Sequence, residues 1–243
     1  YFKFFIQIKM NEIHKLIMII AFVTLLPIVA NAQNELGTWT SLEVEKEYQK
    51  VDIGAEAEFR TIYGLRLMDR WSLGANINYQ PIKPLKIGFG YNLMNVLDEK
   101  YANYQYRHRL YVSATGKLKM DRFSFSLRER FQFTTKDASN RIKSDGSIDN
   151  YKINPALVWR NRLLVDYNIP DCKLSPSFSV ESFYELNNPD GNQFDKFRFT
   201  LALDYKINKS NSISVFSAYN NKPTDDENSG KYILGIGYKF TIK

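Results

Sequence analysis

The sequence predicts an all-β protein, an antiparallel up-and-down transmembrane β-barrel of about 10 strands, with 12 as the alternative count. From Leu36 onward, apolar and polar residues alternate in short runs, without the 3.6-residue period of a helix. Short turns alternate with mostly longer loops rich in Asp, Asn, Lys, Ser and Gly, as in barrels whose two rims differ. Alternation over residues 231–243 predicts a strand with one apolar and aromatic face. Together these observations favour a membrane barrel over a soluble sandwich.

The composition agrees with one large β domain. The chain of 243 residues contains 16 Tyr and 17 Phe, and it has no long apolar run after its N-terminal region. A mean hydropathy below zero argues against a helical membrane protein but not against a barrel, because only alternate barrel residues face lipid. The net charge of +7 is spread over many strands, so no nucleic-acid partner is predicted. An affinity for acidic lipid head groups or anionic solutes fits this charge equally well.

An export signal precedes the predicted barrel. Met10 begins it, Lys15 supplies positive charge, residues 16–29 form the apolar core, and cleavage is predicted near Ala32. An uncleaved anchor is the alternative, although the core is short for a spanning helix. The predicted division is a signal peptide at 1–32, including doubtful upstream residues 1–9, and an outer-membrane β-barrel at 33–243.

Strand counting leaves one segment unexplained. Bacterial single-chain barrels have an even number of strands. Ten regular strands beginning at Val51 are therefore expected, and the segment at 36–47 is either a plug in the lumen or a sign of a misplaced turn. Twelve strands would need another segment before Leu36. The alternating segments lie at 36–47, 51–61, 71–79, 85–95, 104–115, 122–135, 151–166, 174–186, 194–207, 211–219 and 231–243.

The last segment carries a candidate assembly signal. Gly235, Tyr238 and Phe240 resemble the pattern that outer-membrane barrels present to the barrel assembly machinery. That machinery and the outer-membrane lipids are the predicted partners. The alternative interpretation is the closing strand of a soluble barrel.

Charged residues with a spacing of two predict a charged lumen. This spacing puts both members of a pair on one face, and the opposite face is mostly apolar. A charge in hydrocarbon costs about 2–4 kcal/mol for Arg or Lys at the midplane, so these faces should point inward. The charges either fill and rigidify the interior or select anionic solutes. The predicted ladder consists of Arg107, Arg109, Arg128, Arg130, Arg160, Arg162, Lys196, Arg198, Glu43, Glu45, Glu56, Glu58, Glu181 and Asp204.

Three polar residues break the pattern. His108, Glu129 and Asn161 lie between the paired bases and would face lipid under strict alternation. Either they lie near a rim or a β-bulge shifts the phase.

Enzymatic chemistry has little support in the sequence. His108 is the one histidine after the signal peptide, and no serine stands at a spacing typical of outer-membrane lipases or deacylases. A triad assembled in space, and with it a lipid-modifying enzyme, stays an alternative. Two histidines and one cysteine provide no metal-ligand cluster, so neither a metal nor another cofactor is predicted.

Three motifs carry a family resemblance: LRERF at 127–131, WTSLEVEK at 39–46 and EAEFR at 56–60. On these the chain resembles the domain of unknown function 2490 family of Bacteroidetes proteins. The resemblance implies an outer-membrane β-barrel with no established activity, and it brings no functional residues to this chain.

We therefore expect an outer-membrane barrel of a Gram-negative bacterium, with a structural role or passive solute passage through a narrow charged lumen. Besides the enzyme, a soluble periplasmic barrel binding an apolar ligand is an alternative. Its interior would have to be the apolar face.

Overall fold

The computed structural model describes residues 36–223 and 230–242, which form one closed β-barrel of eleven strands. The predicted all-β barrel is confirmed, whereas the predicted signal peptide lies outside the described residues. No helix in the described part of the chain is long and apolar enough to cross a membrane. The strands are β1 Leu36–Tyr48, β2 Val51–Ile62, β3 Leu67–Ile82, β4 Leu85–Asp98, β5 Asn103–Met120, β6 Phe123–Lys136, β7 Ala156–Tyr167, β8 Leu174–Glu185, β9 Phe194–Lys206, β10 Asn211–Asn221 and β11 Lys231–Ile242.

The barrel closes through a parallel strand pair. Consecutive strands pair antiparallel from β1 to β11, and β1 then pairs parallel with β11 from Leu36 opposite Tyr232 to Lys46 opposite Ile242. An odd number of alternating strands can close only if one pair is parallel. The segment at 36–47, left over from the expected ten strands, is therefore a full wall strand and not a plug. Its backbone groups bond to β2 and β11, so the closed sheet has no free edge.

The outer face of the wall is apolar. Leu42, Phe59, Leu73 and Leu127 are about half exposed on it, as are many other large apolar side chains. Such a belt would be unfavourable in water and is suited to lipid.

The two rims differ as the sequence predicts. The short-turn rim carries the connections at 49–50, 83–84, 121–122, 168–173 and 207–210, and the long-loop rim carries those at 63–66, 99–102, 137–155, 186–193 and 222–230. The loop at 137–155 is the longest of the ten.

One strand begins later than predicted. The segment expected at 151–166 is β7, which starts at Ala156, so residues 151–155 belong to the long loop. Asn154 fixes this loop end, because its side chain accepts a hydrogen bond from the Lys136 amide and donates one to the Lys136 carbonyl. These contacts cap the end of β6 with a side chain, where the sequence pattern suggests continued strand pairing.

Candidate functional site

The lumen holds two polar cavities that meet in a layer of arginines. The outer cavity, toward the long-loop rim, has a volume of about 450 Å³, and the inner cavity has about 530 Å³. The residues that line both, and so define the shared layer, are Trp39, Arg60, Arg70, Arg109, Gln132, Arg160 and Arg198.

An aromatic side chain organises one side of this layer. The guanidinium of Arg60 lies 3.7 Å from the ring centre of Trp39, and that of Arg198 lies 4.5 Å from it. Phe216 packs edge-on against the same indole at 6.0 Å. Cation–π contacts of this kind hold the two guanidiniums in place without neutralising them.

Glu181, which lines the inner cavity, organises the arginines next to this stack. It is 3% exposed and accepts hydrogen bonds from Arg128 at 2.6 Å and from Arg160 at 2.8 Å, while Arg198 is 3.8 Å away. The three arginines come from β6, β7 and β9, so one carboxylate on β8 connects four strands. Charge-assisted bonds of this kind are stronger than neutral ones and make the wall rigid here.

Two arginines of the shared layer and one lysine near the short-turn rim also form ion pairs. Glu58 pairs with Arg60 at 2.7 Å on β2, and Asp69 pairs with Arg70 at 2.7 Å on β3. Toward the short-turn rim, the Lys239 ammonium lies within 3.0 Å of both Glu43 and Glu45.

Four lumen arginines have no carboxylate within salt-bridge distance among the described residues: Arg107, Arg109, Arg130 and Arg162. Arg109 donates to the Thr134 hydroxyl at 3.1 Å, and Arg130 lies 4.0 Å over the ring of Tyr111. The lumen therefore has positive charge without a carboxylate partner: Arg107 lines the outer cavity, Arg109 lines both cavities, and Arg130 and Arg162 line the inner one. Ten basic and three acidic residues line the outer cavity, against eight and five in the inner one.

The structure places the predicted ladder in the lumen. The outer cavity is lined by Arg107, Arg109, Arg160, Lys196 and Arg198. The inner cavity is lined by Glu43, Glu45, Glu56, Glu58, Arg109, Arg128, Arg130, Arg160, Arg162, Glu181 and Arg198. Asp204 lies apart from these and lines a smaller cavity of about 170 Å³ with Glu43 and Lys239.

Sequence reasoning missed several lumen residues. Arg60 lies two residues after Glu58 on β2 and therefore on the same inward face. This spacing could have predicted it as a lumen residue. Asp69 and Arg70 are consecutive yet both line the outer cavity, where a register shift interrupts the β2–β3 pairing. No pattern in the sequence marks that irregularity.

The residues of the candidate assembly signal lie on different faces. Gly235 lies on the lumen side, where a β-carbon would stand 2.0 Å from the Phe216 ring. Tyr238 and Phe240 face outward and are each 37% exposed.

The family assignment follows from a profile match. The profile described as "Protein of unknown function (DUF2490)" matches residues 36–231. The chain belongs to this family. The match confirms the predicted resemblance, and it covers every strand except most of β11.

Solved structures show the same kind of fold. The DUF2490 chain is similar to a NanC porin, with a TM-score of 0.51 and 12% identity over 84% of this chain and 97% of the porin. It is also similar to a bacterial polysaccharide outer membrane secretin, with a TM-score of 0.50 and 10% identity over 79% of this chain. The chain spans 64% of that secretin, less than two-thirds of its length. No curated protein matches the sequence.

The polar exceptions in the DUF2490 barrel face outward. Pairing is continuous around His108, Glu129 and Asn161, so no bulge shifts their phase. His108 is exposed, and its Nδ1 lies 2.7 Å from the Tyr91 hydroxyl on the outer wall. The histidine is thus on the opposite side of the wall from the lumen charges. Within the described residues there is no cluster of three metal-binding side chains.

The longest loop of the DUF2490 barrel is attached at the mouth of the lumen. Arg141, 8% exposed, donates to Asp98 at the end of β4 and, at 3.0 Å, to Asp149. Its guanidinium also lies 4.1 Å over the ring of Tyr151. That ring is 5.7 Å from Arg107, which lines the outer cavity. The loop therefore lies beside the basic entrance.

Asp149 connects this loop to the connection at 99–102. The Lys100 ammonium and the Tyr101 hydroxyl donate to its carboxylate at 2.7 and 2.8 Å. These hydrogen bonds hold the pKa of Asp149 well below its usual range. A carboxyl with a lowered pKa contributes its full stabilisation at neutral pH and loses it only as the pH falls through the folded-state value.

We expect the attached loop to persist below the ordinary aspartate pKa of about 3.9. In hydrogen exchange corrected for intrinsic rates, protection of 137–155 should stay unchanged from pH 7 to pH 4 and fall only under stronger acid. Asp149→Asn should remove that protection at pH 7 and speed tryptic cleavage at Lys143. Asp145→Asn is the matched control, because within residues 36–223 and 230–242 Asp145 accepts its hydrogen bonds from Ser147 in the same turn. Equal cleavage of the two variants would contradict this role for Asp149.

Proposed function

We propose that this DUF2490 protein resides in the outer membrane and allows small anionic solutes to pass passively through a narrow, positively charged lumen. One observation carries the proposal: arginines without a carboxylate partner lie at and beside the layer where the two cavities meet. A cation held in a low-dielectric interior is unfavourable until a counter-ion reaches it. Solute anions can supply that charge at Arg109 and Arg130.

The distribution of charge along the lumen supports entry of anions from the long-loop rim. The outer cavity has a large excess of basic residues, and a cleft lined by one sign of charge concentrates ions of the opposite sign. The inner cavity contains Glu43, Glu45, Glu56 and Glu58. The negative charges of these four glutamates oppose strong retention of an anion. Conduction requires that a bound ion can also leave.

The same lumen supports a second candidate, a closed structural barrel. The Glu181 cluster and the stack of Arg60, Trp39 and Arg198 are the kind of polar network that fills a small interior. The two roles differ in conductance. Neither assigns catalysis to the protein, and the outward position of His108 supports a non-enzymatic role.

The proposed orientation puts the short-turn rim in the periplasm and the longer loops outside the cell, as in bacterial outer-membrane barrels. The proposed route to the outer membrane begins with export and cleavage near Ala32. The assembly machinery then recognises Gly235, Tyr238 and Phe240. Supporting this, the outward aromatic residues Tyr238 and Phe240 alternate with inward small or polar residues on β11.

Reversal potentials in planar bilayers test the proposed function. Under a KCl gradient, purified protein should conduct weakly, with a reversal potential of the sign that chloride preference gives. The double variant Arg109→Gln/Arg130→Gln should move that potential toward zero. Lys83→Gln/Lys209→Gln is the matched control, because it removes the same charge from exposed turns and should leave selectivity unchanged.

Cation preference of the unaltered protein, or equal shifts in the two double variants, would contradict the anion pathway. Absence of conductance from barrels shown to be folded would reject solute passage in favour of the closed structural barrel.

A further inference from the structure

Three polar side chains form a row on the apolar outer wall. Glu129 on β6, Asn161 on β7 and Ser182 on β8 are successive partners in the strand register, and all three are half-buried. Glu129 is central in β6 and Asn161 is central in β7. In a membrane this row, which we call the wall row, would lie within the hydrocarbon region and not at a rim.

Lipid-facing apolar residues surround the wall row. Leu127 and Phe131 flank Glu129 along β6 and are 51% and 49% exposed, and Leu163 beside Asn161 is 50% exposed. A carboxyl group at this depth is unfavourable when lipid is its neighbour.

Contacts within one chain use only part of the hydrogen-bonding capacity of the wall row. The Trp159 indole N–H donates to Glu129 Oε2 at 2.7 Å, and Asn161 donates to the Ser182 hydroxyl over a long 3.4 Å. Among the described residues, Glu129 Oε1 and Asn161 Oδ1 have no hydrogen-bond partner. On the outer wall, a carboxylate oxygen of Glu129 and the neighbouring side-chain amide of Asn161 can therefore each form a further hydrogen bond.

Small residues beside the row leave room for another surface. Ala114 is the cross-strand partner of Glu129 on β5, and it is exposed. Two residues further along the same face, a β-carbon on Gly116 would meet nothing within 4 Å. Small side chains next to polar ones are typical of contact surfaces between membrane proteins, where they permit close approach and cross-chain hydrogen bonds.

We propose that the wall row is a contact surface for a second copy of this chain. Two copies inserted in the same orientation are related by a two-fold axis along the membrane normal, which makes the contact isologous. If that axis passes near Asn161, its amide can donate to the partner's Glu129, and the reciprocal bond forms by symmetry. The wall row is suited to this arrangement because it contains both a free acceptor and a donor.

The proposal rests on the membrane location proposed above but not on solute passage. Fractionation of the host membranes checks location first, and the dimer tests need no conductance. A soluble protein would therefore fail at the first step, and a non-conducting dimer would still support the contact.

Cross-linking tests the contact directly. In a Cys172→Ser background, Leu163→Cys places a thiol two residues from Asn161 on the same face. Leu42→Cys places one on the outer face of β1, across the barrel, with similar exposure of 49% for the native leucine. With a short bis-maleimide in membranes, the first variant should give a cross-linked dimer and the second should not.

Native mass spectrometry of the wall-row variants provides the second measurement. Glu129→Leu/Asn161→Leu should reduce the dimer-to-monomer ratio about tenfold or more, because it removes the cross-chain hydrogen bonds. Heat-modifiable gel mobility should be kept, since leucine suits a lipid-facing position. Equal cross-linking at the two thiols, a monomer at all concentrations, or a cross-linked product containing a different protein would overturn the proposal.

Discussion

Glu181→Gln is expected to lower the free energy of unfolding of the barrel by about 3 kcal/mol. The buried carboxylate is the shared partner of Arg128, Arg160 and Arg198. Without its charge, three guanidiniums from three strands repel one another around a side chain that is only 3% exposed. Urea titrations of detergent-solubilised protein, followed by heat-modifiable gel mobility, provide the measurement.

Glu43→Gln is the matched control for this prediction. It also removes one lumen carboxylate, but the Glu43 side chain is 36% exposed and its partner Lys239 keeps Glu45. A partly exposed pair contributes about 1 kcal/mol or less. If the two variants unfold at the same urea concentration, the Glu181 cluster does not stabilise the wall as argued.

Gly235→Val is expected to destabilise the barrel by up to about 3 kcal/mol, the upper range for overpacking. A β-carbon at this position would lie 2.0 Å from the Phe216 ring. The ring cannot move aside freely because it packs on Trp39, whose indole also contacts Arg60. The variant should therefore disturb the arginine layer as well as stability, and conductance changes should accompany the loss.

Gly237→Val, on the same face of β11, should be much less harmful. Its β-carbon would meet the Ser41 hydroxyl at 2.9 Å, which can rotate away, and otherwise only Ser214 at 4.0 Å. Refolding into detergent micelles separates packing from recognition, because no assembly machinery is present. Normal refolding of Gly235→Val would contradict the packing role argued for this glycine.

The pattern along the chain determined most of the wall. A strand has a side-chain period of two, which is a local property, so alternation was enough to find eleven segments and to assign their faces. The same parity assigns Arg128 and Glu181 to the inner face without reference to their contacts. Loop composition also predicted which rim would have the longer connections.

Only the tertiary structure decided how the wall closes and which charges meet. Strand pairing is a non-local choice, so alternation at 36–47 could not show that β1 pairs parallel with β11. In the same way, register sets Arg128 and Arg160 against Glu181 but leaves Arg109 without a carboxylate. Side-chain alternation specifies the face of a residue, whereas closure and register specify its neighbours across the lumen.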